Sequence, residues 1–195
     1  MRTFRAADAA VAYAHPAPQL RRLEQSGVLH RLAHGYYTVV PQDQIGTNWM
    51  PTLEAAAAGI AAARFHPDRA PLMGVSAARL HGALPRALAL AIVAAPVQHD
   101  PITLLDRQAT VRFVKRDTAR IDVETVTTEL GRALVTSIEQ TVLDLARRPP
   151  LNVAEDQIPE ALRALLPRCD TEVLDELARR QRLRSALARA RDLTR

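Results

Sequence analysis

The segment from Thr3 to Val40 constrains this chain most, because it sets breakers, helical faces and β-formers in one order. Thr3 and Phe4 open an alanine-rich polar stretch that reads as a helix ending near Ala14. His15-Pro16 breaks it. Pro16 to Ser26 supports a second helix, since proline is tolerated in a first turn whose N–H groups lack partners. Leu20 and Leu23 lie three apart and form its inward face. Gln19, Arg22 and Gln25 gather on the opposite side, with Arg21 beside them. Gly27 stops the helix, where a left-handed backbone position is needed. Val28–Leu32 and Tyr36–Val40 read as two strands joined by a His34-Gly35 turn. One of Tyr36 and Tyr37 is expected to pack on the helices and the other to face out.

Helix, break, basic helix and ribbon is the order of a winged helix-turn-helix, whose second helix enters a DNA major groove. Glutamine can pair with adenine edges and arginine with guanine edges. Gln19, Arg22 and Gln25 are therefore candidate base readers. Arg21 and Arg31 are candidate phosphate contacts. Thr3, His34 and Tyr36 complete the candidate DNA-binding set, and Gly35 is expected to take a positive φ. The competing reading is a plain solvated helix face. His30 and His34 read as wing or surface residues, because no cysteine lies within metal-ligand spacing of them. No metal or cofactor is expected.

The balance of charge suits an anionic partner. The 195 residues carry a net charge of +5, and the cations are 25 arginines and one lysine, Lys115. Arginine favours bidentate phosphate and carboxylate binding, although a GC-rich genome would also enrich it. A hydrophobic fraction of 48% is that of a globular chain. Cys169 is the single cysteine, so no intrachain disulfide can form and a reducing cytoplasm fits. The N-terminus has no apolar signal segment. The run Ala87 to Val97 is too short to span a bilayer and reads as a buried strand.

Pro41 to Pro51 reads as a linker, with Trp49 pinning it to one of its neighbours. It divides a winged helix at 1–48 from a larger mixed domain at 52–195. The class is α+β, ending in helices. Thr52 caps a helix from Leu53 to Phe65, whose alanine and glycine residues demand close packing. Ser76–His81 is a short helix stopped by Gly82. Leu88–Ala95, Thr110–Lys115 and Ile121–Val126 are candidate strands, the last half-buried by its alternation, and Leu134-Val135 is a short extended piece. Ser137 and Gln140 form a capping box for a helix that Pro149-Pro150 ends. Pro159 and Asp170 start two further helices, and a basic helix closes the chain.

No catalytic set is complete. Lys115 lacks the glycine of a phosphate-binding loop. Asp122 and Glu124 share a strand face, as a metal-dependent nucleotidyltransferase would need. The glycine-serine turn expected upstream is replaced by Thr118-Ala119-Arg120, and they read as a solvent face. A nuclease would place a carboxylate where Phe113 stands. Gly74-Val75-Ser76 lacks the closing glycine of a nucleophile elbow. Arg168 could lower the pKa of Cys169, but no histidine is near. The chain is read as a non-enzyme, with a nuclease-like enzyme targeted by its winged helix as the alternative.

The whole chain resembles the AbiEi antitoxins of AbiE-type toxin–antitoxin systems. Three segments carry the resemblance in order: Arg31-Leu32-Ala33-His34-Gly35-Tyr36-Tyr37, Gly74 to Gly82 with its His81-Gly82 end, and Thr136 to Asp144 with Glu139 before Leu143-Asp144. The resemblance implies an autorepressor that binds inverted repeats in double-stranded promoter DNA. It also implies that the domain from about residue 52 opposes a nucleotidyltransferase-like toxin. Arg179, Arg180, Arg182 and Arg184 are the candidate toxin contacts, as arginine forks can engage carboxylates at a metal site. That domain is expected to protect against the toxin even without residues 1–50. Such winged helices have a helix before the Thr3–Ala14 position. Here the Leu53–Phe65 helix is a candidate to fill that place. His81 and Asp144 are read as structural. The oligomeric state is left open, a monomer binding DNA cooperatively being one arrangement.

Overall fold

The computed structural model describes residues 2–86, 88–147 and 156–194. The expected Pro149-Pro150 helix stop lies outside them.

Thr3–Arg5 is strand β1 rather than the start of a helix. It pairs antiparallel with Tyr36–Val39, so long-range pairing overrides local propensity. A six-residue 3₁₀ segment, Ala6–Val11, is all that remains of the expected first helix. Helix α1 spans Pro16–Gln25 with proline in its first turn. Gly27 follows at φ 73, the left-handed conformation that lets the chain reverse. Strand β2 (Leu29–Ala33) and strand β3 (Tyr36–Val39) form the hairpin, with Gly35 at φ 79 in its turn. The sheet order is β1-β3-β2.

Both tyrosines are buried, which corrects the expectation that one faces out. Successive strand residues point to opposite faces, and here each face is covered. Tyr37 packs with Ala9, Leu20 and Leu29, while Tyr36 joins Leu53, Ile60 and Val93. The cover on the Tyr36 side includes helix α2, Leu53–Phe65. This helix lies across β1. It packs against the outer strand of the hairpin sheet. Thr52 caps α2 by accepting a hydrogen bond from the Ala55 amide. Ala55, Ala56, Ala57 and Ala61 pack with no exposure, while Ala62 and Ala63 near its end are half-buried. Glu54 is buried among them and accepts a 2.5 Å hydrogen bond from Arg79 Nε.

The larger part of the chain begins with helix α3, Val75–Leu80. Strand β4 (Leu90–Ala95) pairs parallel with β6 (Thr110–Lys115), and β5 (Ile102–Thr103) pairs antiparallel with β6. Strands β7 (Val123–Thr128) and β8 (Gly131–Thr136) form a hairpin. Leu72 bridges the two sheets, meeting Val93 on one side and Val135 on the other. The face of β7 is more open than its alternation predicts, with Val123, Glu124 and Thr125 exposed. Helices α4 (Ile138–Ala146), α5 (Ile158–Leu165), α6 (Thr171–Arg180) and α7 (Arg184–Leu193) surround a second core built on Leu143, Leu162, Leu165 and Leu177. Full burial of each such leucine contributes about 1.5–3 kcal/mol. Ser137 caps α4 by accepting from the Gln140 amide. The Gln140 side chain instead accepts from the Asp122 amide and donates to Asp144. The reciprocal half of the capping box is thereby replaced by a tertiary tie. No helix among the described residues is long and apolar enough to cross a membrane.

Candidate nucleic-acid interface

Helix α1 buries Leu20, half-buries Leu23 and leaves Gln19, Arg21, Arg22 and Gln25 exposed. None of these four polar side chains makes a hydrogen bond or ion pair among the described residues. The result is an exposed face of donors and acceptors on a helix anchored by Leu20. His34 is exposed at the hairpin turn, and its Nδ1 lies 3.3 Å from an Arg31 terminal nitrogen. The Arg31 guanidinium also lies over the Tyr37 ring at 5.8 Å. Its Nε is buried without a partner, so only part of its fork is presented.

Two candidate contacts are corrected. Thr3 is buried at the β1–α2 contact, and Tyr36 is buried in the core. Burial keeps Thr3 from reaching a ligand and leaves Tyr36 as a packing residue.

The hairpin is tied to the rest of the molecule along its β2 edge. Leu105 donates its amide to the Leu32 carbonyl at 2.9 Å. His30 Nε2 meets Asp106 Oδ2 at 2.7 Å, and Arg107 binds the same carboxylate at 2.9 Å. Burial pushes the Asp106 carboxyl up, but hydrogen bonds from His30 and Arg107 outweigh it and hold its pKa at about 2. Trp49 stands edge-on to His30, pinning the linker here. Sequence reasoning missed Asp106, which lies far from His30 in the chain. Its only signal was an acidic–basic pair in a loop.

The four candidate toxin contacts divide between two cavities. Arg179 is bonded to Glu176, and with Arg184 it lines a cavity that also holds Glu172 and Asp175. Arg180 and Arg182 line a different cavity, together with Arg116 and Arg120. Arg182 stands at φ 58, between α6 and α7.

The remaining chemical candidates are absorbed by structure. His81 is buried; its Nε2 donates to the Thr136 carbonyl at 2.8 Å, and its own carbonyl accepts from Arg168 at 2.7 Å. Asp144 is buried 3.2 Å from Arg116, and burial outweighs that cation to raise its carboxyl above the ordinary range. Burial pushes the Cys169 thiol up to about 12, helped by Glu139 and opposed by Arg168. That reverses the lowering expected from Arg168 alone. Glu124 is exposed on β7. Among the described residues, no group of three or more His, Cys, Asp or Glu side chains could hold a metal ion.

The C-terminal two thirds of the chain settles the relationship. Residues 69–195 match the family model for the AbiEi antitoxin C-terminal domain. The chain belongs to that family. AbiEi membership places it among antitoxins, and an antitoxin implies a toxin partner. The solved RV2827C protein from Mycobacterium tuberculosis shares the fold, with a TM-score of 0.62 at 18% identity. The similarity covers 99% of this chain and 75% of that one. A comparison with curated proteins finds no match.

Proposed function

We propose that this AbiEi-family chain is an autorepressing antitoxin. In this reading, residues 1–48 form a winged helix and α1 reads inverted repeats in the promoter. Residues 52–195 oppose a nucleotidyltransferase-like toxin in the cytoplasm, without chemistry of their own. The supporting observation is the exposed, unpartnered face of Gln19, Arg21, Arg22 and Gln25 on a helix that leads directly into a hairpin. Strand, short helix, helix and hairpin, with sheet order β1-β3-β2, fit a winged helix whose second helix enters the major groove. Gln19 and Arg22 contact bases, while Arg21, Arg31 and His34 contact phosphates.

A gel-shift titration on the native promoter tests this reading. Arg22→Ala should cost about 1–3 kcal/mol and relax specificity at one base pair. Arg21→Ala should weaken all sequences alike and lower the salt slope by about 1. Unchanged affinity and specificity in both variants would exclude α1 as the reading helix.

A further inference from the structure

We propose that the cleft between the end of β6 and the α6–α7 junction binds the phosphodiester backbone of a nucleic acid. The proposal goes beyond the α1 reading and stands on different residues. Two cavities of about 790 and 510 Å³ adjoin there and share Arg116 and Asp117. Arg69 and Lys115 line the first; Arg120, Arg180 and Arg182 line the second. Among the described residues, the lining thus holds six cations and two carboxylates, Asp68 and Asp117, with Asp144 buried beneath Arg116. Neither carboxylate neutralises much of the cleft. Asp117 stands 3.7 Å from Arg120, and Asp68 stands 3.7 Å from His66. Among the described residues, Arg69, Lys115, Arg180 and Arg182 have no ion-pair or side-chain hydrogen-bond partner.

Gathering unpartnered like charges raises the local potential and favours an incoming anion. One of these cations is held in place, and another stands at an unusual backbone position. Arg116 is anchored from beneath by buried Asp144, which Gln140 fixes in turn at 3.3 Å. Arg182 occupies a left-handed position at φ 58, just past the end of α6. Glycine is the usual residue there, because a Cβ is penalised. The Leu183 amide still bonds the Ala178 carbonyl at 2.7 Å, so the helix-ending geometry is kept with an arginine in it. A side chain retained at a backbone cost points to use of that side chain.

The lining selects the ligand class. Arginine forks match phosphate oxygens. Among the described residues, no aromatic lines either cavity to offer a platform on which a base could stack. The cleft is suited to charge along a strand rather than to sequence. Two cavities in tandem fit successive phosphates better than a single small anion.

The test uses the full chain carrying Arg180→Ala and Arg182→Gly, with Lys115→Ala as an independent variant. Glycine accepts φ 58 freely, so the double variant should keep its melting temperature. Binding is measured by fluorescence anisotropy against a mixed-sequence 20-base-pair DNA duplex and a single-stranded RNA of the same length, across a salt series. The expected result is weaker binding of one or both probes by the double variant. Its slope of log affinity against log salt should be smaller by about 2, one for each lost phosphate contact. Loss on the duplex assigns DNA; loss on the single strand alone assigns RNA. Unchanged affinity and slope on both probes, in folded variants, would overturn the proposal. So would intact nucleic-acid binding with lost protection against the toxin, which would make the cleft a dock for an acidic protein. Arg21→Ala/Arg22→Ala, measured alongside, separates failure at α1 from failure at the cleft.

Discussion

Gly59 of α2 lies directly against Thr3 of β1: a Cβ at residue 59 would stand 2.9 Å from the Thr3 Cβ and overlap its hydroxyl oxygen. This contact seats the first strand of the hairpin sheet on the helix that follows the linker. Gly59→Val should cost about 1–3 kcal/mol, because a buried methyl group has nowhere to go. In a double-mutant cycle, Thr3→Gly should recover part of that loss. Urea midpoints of the four proteins check this; simple additivity would show that the two residues do not press on each other.

Glu54 and Arg79 form a buried ion pair inside the alanine-rich packing of α2. Breaking such a pair leaves an uncompensated charge. Glu54→Ala should destabilise the protein by about 3 kcal/mol, and Glu54→Gln by less, because an amide oxygen still accepts from Arg79. Thermal or urea denaturation reads both.

The Asp106 carboxyl titrates at about 2 in the folded chain, against an ordinary 3.8. A depressed acid pKa adds stability that is present above 3.8 and is lost as pH falls through 2. Asp106→Asn should therefore flatten the dependence of urea midpoint on pH between about 4 and 2. At neutral pH it should also cost about 2 kcal/mol, because His30 and Arg107 lose a charged acceptor. An equally steep acid limb in Asp106→Asn would mean that another carboxylate sets it.

Gly35 turns the hairpin at φ 79, and a Cβ there would meet no atom within 4 Å. Any effect of substitution is consequently backbone strain, about 1–2 kcal/mol for an ordinary residue. Gly35→Val should lower the melting temperature and weaken promoter binding by displacing His34. Gly35→Asn should be milder, since asparagine tolerates this conformation. Equal behaviour of the two variants would remove the strain argument.

Local signals were legible wherever neighbouring residues decide the outcome. Pro16 and Gly27 bracket α1, Thr52 and Ser137 cap their helices, and Gly35 turns the hairpin. The misread elements depend on distant partners. Thr3 and Phe4 look helical until Thr38 and Tyr37 pair with them. Tyr36 looks like a wing residue until α2 covers it from beyond the linker. Arg180 and Arg182 look like neighbours of Arg179 and Arg184, but the α6–α7 turn sends the pairs into different cavities. The exposed face of α1 was readable in advance because two leucines fix its inner side.

Deleting residues 1–50 is a poor way to divide the proposed functions, contrary to the expectation drawn from the sequence. Leu32, Ala33 and Tyr36 share one core with Ile60, Val93 and Phe113. Removing the hairpin would strip apolar cover from α2, and the Leu105 amide would lose its acceptor at Leu32. At about 25 cal/mol per Å² of exposed apolar surface, that loss competes with the whole stability of a small domain. The 51–195 fragment should therefore melt well below the full chain or aggregate, as calorimetry and light scattering will read. Surface substitution avoids this. Arg21→Ala/Arg22→Ala leaves Leu20 and the core untouched, so it should melt like the parent, fail to repress the promoter and still protect cells from the toxin. A reporter assay and a co-expression growth assay decide it together. If this folded variant loses protection along with repression, the two functions share α1 and the proposed division of labour is wrong.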